Sequence, residues 1–297
     1  MKLQRYAGNP ILTPREDHPW ESGAVFNPGV VYAGGKVHLL YRAIGEYENY
    51  ISRLGYAVSE DGLRFTRLDE PVFEPQEDYE RFGCEDPRIT AIGDVFYVTY
   101  TALSRRAFSN AGNRVALAST TDFRNFRRYG VILPEFEDKD AVLFPEKIAG
   151  KYVMFHRIAP DIWIAYSDDL LHWYGHKVVM RPRPGRWDGV KIGAGAPPLK
   201  TEHGWLLFYH GVDEDMVYRL GVALFDLHDP SKLIARQEEP ILEPEEVYER
   251  EGDVPNVVFT CGAIEKDDLY YVYYGGADKV ICVATVEKDQ ALDFLRQ

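Results

Sequence analysis

A formal charge of −13 on 297 residues repels a phosphate backbone, which sets nucleic-acid binding aside. Hydrophobic residues at 45% and charged residues at 27% fit an ordinary globular chain, and no apolar run approaches the roughly 20 residues of a bilayer span. Cys84, Cys261 and Cys282 form no CxxC or CxxH pair, which argues against a disulfide framework or a zinc site and reads them as small buried residues. The opening MKLQRYAGNPIL carries no apolar signal segment, so the expected location is the cytoplasm.

In chain order, a short aromatic and aliphatic run recurs five times. It ends at Tyr41-Arg42, Tyr100-Thr101, His156-Arg157, His210-Gly211 and Tyr274-Gly275. A turn precedes each run: Gly34-Gly35, Gly93-Asp94, Gly150-Lys151, His203-Gly204 and Asp267-Asp268. A second strand with a small residue near its centre follows, for example Leu54 to Val58, Val115 to Ala118 and Leu220 to Leu224. Acidic turns such as Ser59-Glu60-Asp61-Gly62 and Ser167-Asp168-Asp169-Leu170 then lead to a third element carrying Phe65, Phe126 or Trp173. Steps of 59, 56, 54 and 64 residues between these ends, built from short strands without long amphipathic helices, predict an all-β, five-bladed β-propeller spanning 1–297 as one domain. A short C-terminal helix is expected from Val286 to Leu295, with Glu287 and Asp289 in its first turn and Arg296 at its end.

Strands running outward from a central axis line a funnel with their inner ends, so departures from repetition there carry the chemistry. Arg42, Arg157 and His210 break the apolar pattern at corresponding places. The segment Gly83-Cys84-Glu85-Asp86-Pro87-Arg88 reads as a loop before the second repeat, with a carboxyl held by a proline turn and able to act as a general acid. The loops before the third and fourth repeats bring Lys139 and Lys191 toward the same face. Alone, each lysine is commonly a solvated surface group. Together with His210 they form a local anion site in an acidic protein. No P-loop, HExxH or metal-ligand cluster is present.

These motifs, with Leu143-Phe144-Pro145-Glu146-Lys147, Lys191-Ile192-Gly193-Ala194-Gly195 and Tyr273-Tyr274-Gly275-Gly276-Ala277-Asp278, resemble glycoside hydrolase family 130 in the right order from about Asn9 onward. That family comprises β-mannoside phosphorylases and some β-mannosidases on a five-bladed propeller. The resemblance implies that Asp86 is the catalytic acid, acting through a mannose hydroxyl, while phosphate attacks the opposite face with inversion to give α-mannose 1-phosphate. It places Lys139, Arg157, Lys191, His210 and Tyr218 on the phosphate side, and Asn27, Arg42, Arg53, Arg88, Asp140 and Asp278 on the sugar side. Inorganic phosphate is the expected co-substrate, with no other cofactor and no metal; a homo-oligomer is compatible with the sequence.

Lys139-Asp140 departs from an Arg-Asn pair found in some family phosphorylases. Lysine keeps the charge without the bidentate fork, and the aspartate opposes phosphate unless it is neutralised. An inverting hydrolase in this fold needs a base to activate water, whereas a phosphorylase needs positive charge to bind its nucleophile. The basic residues favour phosphorolysis, with an inverting β-mannosidase as the alternative. A non-catalytic carbohydrate-binding propeller needs neither the acid nor the anion site.

Overall fold

The computed structural model describes residues 1–109 and 111–296. Five antiparallel sheets follow one another along the chain. Blade 1 comprises Ala24–Ala33, Lys36–Ile44, Ser52–Ser59 and Thr66–Arg67, and blade 2 comprises Cys84–Ile92, Val95–Leu103, Asn113–Thr120 and Arg127–Val131. Blade 3 comprises Lys139–Leu143, Tyr152–Ile158, Asp161–Ser167 and Trp173–Met180. Blade 4 comprises Lys191–Ala194, Trp205–Val212, Tyr218–Phe225 and Leu233–Arg236, with Leu199–Lys200 also paired to its second strand. In blade 5, Val258–Lys266, Leu269–Gly276 and Val280–Glu287 come from the C-terminal end, and Gln4–Arg5 supplies the outermost strand. Joining the two ends of the chain in one sheet closes the ring, which leaves only short edges.

The propeller is as the repeat predicts, but each blade has a strand more than the three-strand unit read from the sequence. The segments around Asp86, Lys139 and Lys191, expected as loops, are the innermost strands. Asn27-Pro28-Gly29 and Asp86-Pro87-Arg88 carry turn residues inside a strand, which disguises it, because proline is tolerated there only at an edge or bulge. The equivalence of the repeats also shifts by one residue in blade 4. Tyr209 faces Gly221 as Tyr41 faces Gly55, so His210 corresponds to Arg42 and Arg157. At the C-terminus the strand continues to Glu287, and the helix is confined to Lys288–Ala291, followed by a 3-10 turn at Asp293–Arg296. The β-branched run Val280 to Val286 extends the sheet, pairing Leu269 with Glu287, and overrides the favourable helix charges.

The tyrosines of the repeated second strands have a shared purpose. Their hydroxyls donate to buried carboxylates: Tyr41 to Glu21 at 2.7 Å, Tyr100 to Glu80 at 2.6 Å, Tyr209 to Asp188 at 2.9 Å and Tyr274 to Glu249 at 2.8 Å. An arginine of the outermost strand neutralises each acid: Arg67, Arg128, Arg236 and Arg5. A side chain at Gly55 or Gly221 would strike the ring of Tyr41 or Tyr209, which explains the small residues in the third strands. In blade 3 the set becomes His156, Asp138 and His176, with Nδ1 of His156 at 2.5 Å from Asp138 and Nε2 at 3.1 Å from His176. All three cysteines are buried.

Arg5 lies on the closing strand, so its pair with the fully buried Glu249 bolts the ring shut. Glu249→Ala, which strands Arg5 and the Tyr274 hydroxyl, is expected to cost about 3 kcal/mol in urea unfolding. A cost below about 1 kcal/mol would show that closure does not depend on this pair.

Candidate active site

The inner strands of blades 1, 2 and 3 slip register against their neighbours at Phe26/Gly29, Glu85/Arg88 and Lys139/Val142. At each slip one residue is left-handed: Asn27 at φ 47°, Asp86 at φ 51° and Asp140 at φ 55°. Asn and Asp tolerate this region because a short polar side chain can bond locally. A bulge re-aims the extra residue away from the sheet face. All three side chains line one cavity of about 760 Å³, together with Arg42, Glu85, Lys139, Arg157, Lys191, Tyr218 and Asp278.

Glu85, Asp86 and Asp278 gather around Arg42 on the side of blades 5, 1 and 2. Its guanidinium donates to Ser52 Oγ at 2.9 Å, Glu85 Oε1 at 2.5 Å and Asp86 Oδ1 at 3.3 Å. Asn27 Nδ2 donates to the same Asp86 oxygen at 2.9 Å. These bonds fix the carboxyl through Oδ1 and leave Oδ2 for a ligand. Burial pushes the Asp86 carboxyl up, but Arg42, Arg88, Lys139 and the Asn27 bond outweigh it and hold the group below its ordinary value. Asp278 behaves in the opposite way. Burial, with Asp86, Asp253 and Glu85 adding to it against Arg42, pushes it up to about 7.

The basic groups lie on the side of blades 3 and 4. Arg157 Nη1 sits 2.7 Å from Asp140 Oδ2 and 3.4 Å from His210 Nε2. The backbone N–H of Arg157 donates to Asp138 Oδ1 at 3.0 Å, which fixes its strand position. Lys191 Nζ lies 5.2 Å from the Tyr218 ring centroid. Burial and the nearby Arg157 hold its pKa below the ordinary value, and among the described residues it forms no ion pair. Lys139 leans instead to Glu85 Oε2 at 3.5 Å.

Three residues assigned to ligand binding from the sequence stand elsewhere. Arg88 is 1% exposed and does not line the cavity. It donates to the Asp86 carbonyl at 3.0 Å, to Asp140 Oδ1 at 2.9 Å and to the carbonyls of Ala194 and Gly195, tying the acid to the basic side. His210 is fully buried behind Arg157, against Phe259, and burial holds it below its ordinary pKa. Arg53 pairs with Glu74 at 2.8 Å outside the cavity. It opposes Ala43, not Arg42, and alternation along a strand sends it to the other face. Asp140 is neutralised by Arg88 and Arg157, so its burial beside the lysines does not make the basic side acidic. Gly193 permits this packing: a side chain there would strike both Asp140 and His210. Glu85 was legible only as a neighbour of Asp86. Phe108 and Met216, which also line the cavity, sit in loops that gave no periodic signal.

Since the folded-state pKa of Asp278 is raised, the native protein holds a proton between about pH 4 and pH 7 that the unfolded chain releases. That contribution is present at low pH and is lost as pH rises through about 7. Asp278→Asn is therefore expected to gain stability relative to the parent across this window, read from thermal unfolding at each pH. A difference that does not vary with pH would contradict the shift.

A funnel with a fixed carboxyl on one wall and a lysine without an ion pair among the described residues on the other has the form of a propeller enzyme of glycoside cleavage. The model of the family described as beta-1,4-mannooligosaccharide phosphorylase matches residues 4–297, and the chain belongs to that family, glycoside hydrolase family 130. It is 53% identical to a 1,2-beta-oligomannan phosphorylase and 51% identical to a beta-1,2-mannobiose phosphorylase, both of Thermoanaerobacter sp. (strain X514), over 97% of this chain and 98% of each relative. The solved beta-1,2-mannobiose phosphorylase from Listeria innocua, in complex with beta-1,2-mannobiose, superposes with a TM-score of 0.90 at 34% identity, covering 100% of this chain and 99% of that one.

Proposed function

We propose that this protein is a phosphorylase of β-1,2-linked mannosides, releasing α-mannose 1-phosphate with inversion. The observation that carries the reading is Lys191, a half-buried ammonium beside Arg157 that forms no ion pair among the described residues. An unpaired cation next to another cation is costly unless an anion joins them. Phosphate supplies that anion and is itself the nucleophile, so no base is needed to activate water. The β-1,2 linkage rests on the names of the two Thermoanaerobacter relatives.

In this reading Asn27, Arg42 and Asp278 hold the mannosyl unit, and Asp86 gives its proton to the glycosidic oxygen through a sugar hydroxyl. The surrounding cations and the Asn27 bond hold the Asp86 carboxyl below its ordinary value. Phosphate neutralises the basic groups and the sugar displaces water, and both changes push the carboxyl up toward its acid form. Arg157, Lys191 and Tyr218 orient phosphate on the opposite side, with His210 and Asp140 positioning Arg157. In this reading inorganic phosphate is the co-substrate and the enzyme works in the cytoplasm, a location consistent with there being no helix long and apolar enough to cross a membrane among the described residues.

Asp138 fixes the backbone of Arg157, so Asp138→Asn is expected to raise the KM for phosphate about three- to tenfold while the KM for the mannoside stays nearly constant. Equal effects on both would assign Asp138 to general structure. The linkage is tested by supplying β-1,2- and β-1,4-mannobiose with phosphate. Preferential cleavage of the β-1,2 isomer is expected, and the reverse preference would overturn that assignment.

A further inference from the structure

Around the mouth of the catalytic cavity three large residues adopt left-handed backbone conformations: Tyr50 at φ 56°, Phe108 at φ 63° and Met216 at φ 61°. Bulky side chains rarely accept this region, and such strain persists where the surroundings impose it. The three residues belong to loops of blades 1, 2 and 4. Phe108 and Met216 both line the cavity, yet they are 72% and 52% exposed, whereas Asp86 at the floor is 6% exposed. Single exposed apolar residues are normal on any surface. These two differ in being held on a frame.

The Phe108 ring packs edge-on against Tyr50 at 5.1 Å. Tyr50 in turn is 7% exposed, lies 5.7 Å from the Arg42 guanidinium and bonds to Asp253 in the segment leading into blade 5. Met216 is set by a turn in which Asp213 accepts the backbone N–H groups of Asp215 and Val217 and is itself paired with Arg219. Both apolar groups are therefore presented to solvent by ordered supports, over the exit from a charged floor. A neutral sugar chain leaving that floor meets apolar surface at these two residues. Pyranose rings offer flat C–H faces that pack on aromatic and thioether groups, and no charge at the mouth is needed to hold them.

We infer that Phe108 and Met216 form an apolar clamp that binds the leaving side of the substrate beyond the sugar next to the cleaved bond, giving the enzyme a preference for mannan chains over the disaccharide. The inference rests on the β-mannoside reading of the cavity and names the residues that set chain length within it.

The test measures kcat/KM for β-linked mannosides of two, three and four units, in both β-1,2 and β-1,4 series, at saturating phosphate. Phe108→Gly and Met216→Gly suit the left-handed backbone, so the fold is kept and thermal stability holds or rises. Each variant is expected to lose about three- to tenfold on three- and four-unit chains and less than about twofold on the disaccharide, with phosphate KM unchanged. Phe108→Trp should restore the preference for longer chains. An equal loss at every length, or no loss at any length, would overturn the clamp. Scoring mannose and mannose 1-phosphate together separates the two readings: phosphate-independent release of mannose removes the phosphorolysis reading, while the chain-length ratio still reports on Phe108 and Met216.

Discussion

Asp86→Asn is expected to lower kcat by about a thousandfold, within the range that general acids contribute. Asparagine has the same shape and leaves the buried Asn27 and Arg42 groups within reach of an oxygen, so folding and mannoside KM should change little. The loss should depend on the leaving group. An aryl mannoside whose phenol departs without protonation should recover much of the rate in the variant, whereas a sugar leaving group should not. A loss below about tenfold on mannobiose would remove Asp86 from the acid role.

The second large effect is expected at Lys191. Lys191→Ala removes an unpaired cation from the basic wall and should raise the KM for phosphate about 10- to 100-fold, the worth of a charge-assisted hydrogen bond. Mannoside binding in the absence of phosphate should be unaffected. Lys191→Arg should recover part of the loss, since the charge returns in a different shape. Because the native lysine forms no ion pair among the described residues, the variant breaks none there, and unfolding should remain close to that of the parent. A large drop in stability with unchanged phosphate KM would mean that Lys191 serves the fold.

The blades were legible from the repeat because second and third strands carry regular aromatic and aliphatic runs. It hid the innermost strands, where the site is built. Asn27-Pro28-Gly29, Asp86-Pro87-Arg88 and Lys139-Asp140-Ala141 look like turns by composition, and each is in fact a bulge inside a strand. The Asn-Pro and Asp-Pro steps in blades 1 and 2 were a signal of their own, since they mark equivalent left-handed positions. What proximity in sequence cannot reveal is partnership across blades. Arg88 follows Asp86 by two residues, which suggests a shared ligand, but its guanidinium turns to Asp140 of blade 3 and the carbonyls of blade 4. Arg53 has the right charge on a neighbouring strand and the wrong parity for the cavity. Asp140 reads as hostile to phosphate until Arg88 and Arg157 are placed against it. The strained rim at Tyr50, Phe108 and Met216 left no trace in composition, because left-handed backbone at bulky residues is imposed by surroundings.

In the proposed reading the segregated cavity, with Asp86 on one wall and Arg157 and Lys191 on the other, makes phosphate the nucleophile. Incubation of the purified protein with β-1,2-mannobiose, with and without inorganic phosphate, tests this by product analysis. The expected result is α-mannose 1-phosphate and mannose in equal amounts with phosphate, and almost no cleavage without it. Release of two mannose molecules per disaccharide at a rate indifferent to phosphate would contradict it and make water the nucleophile.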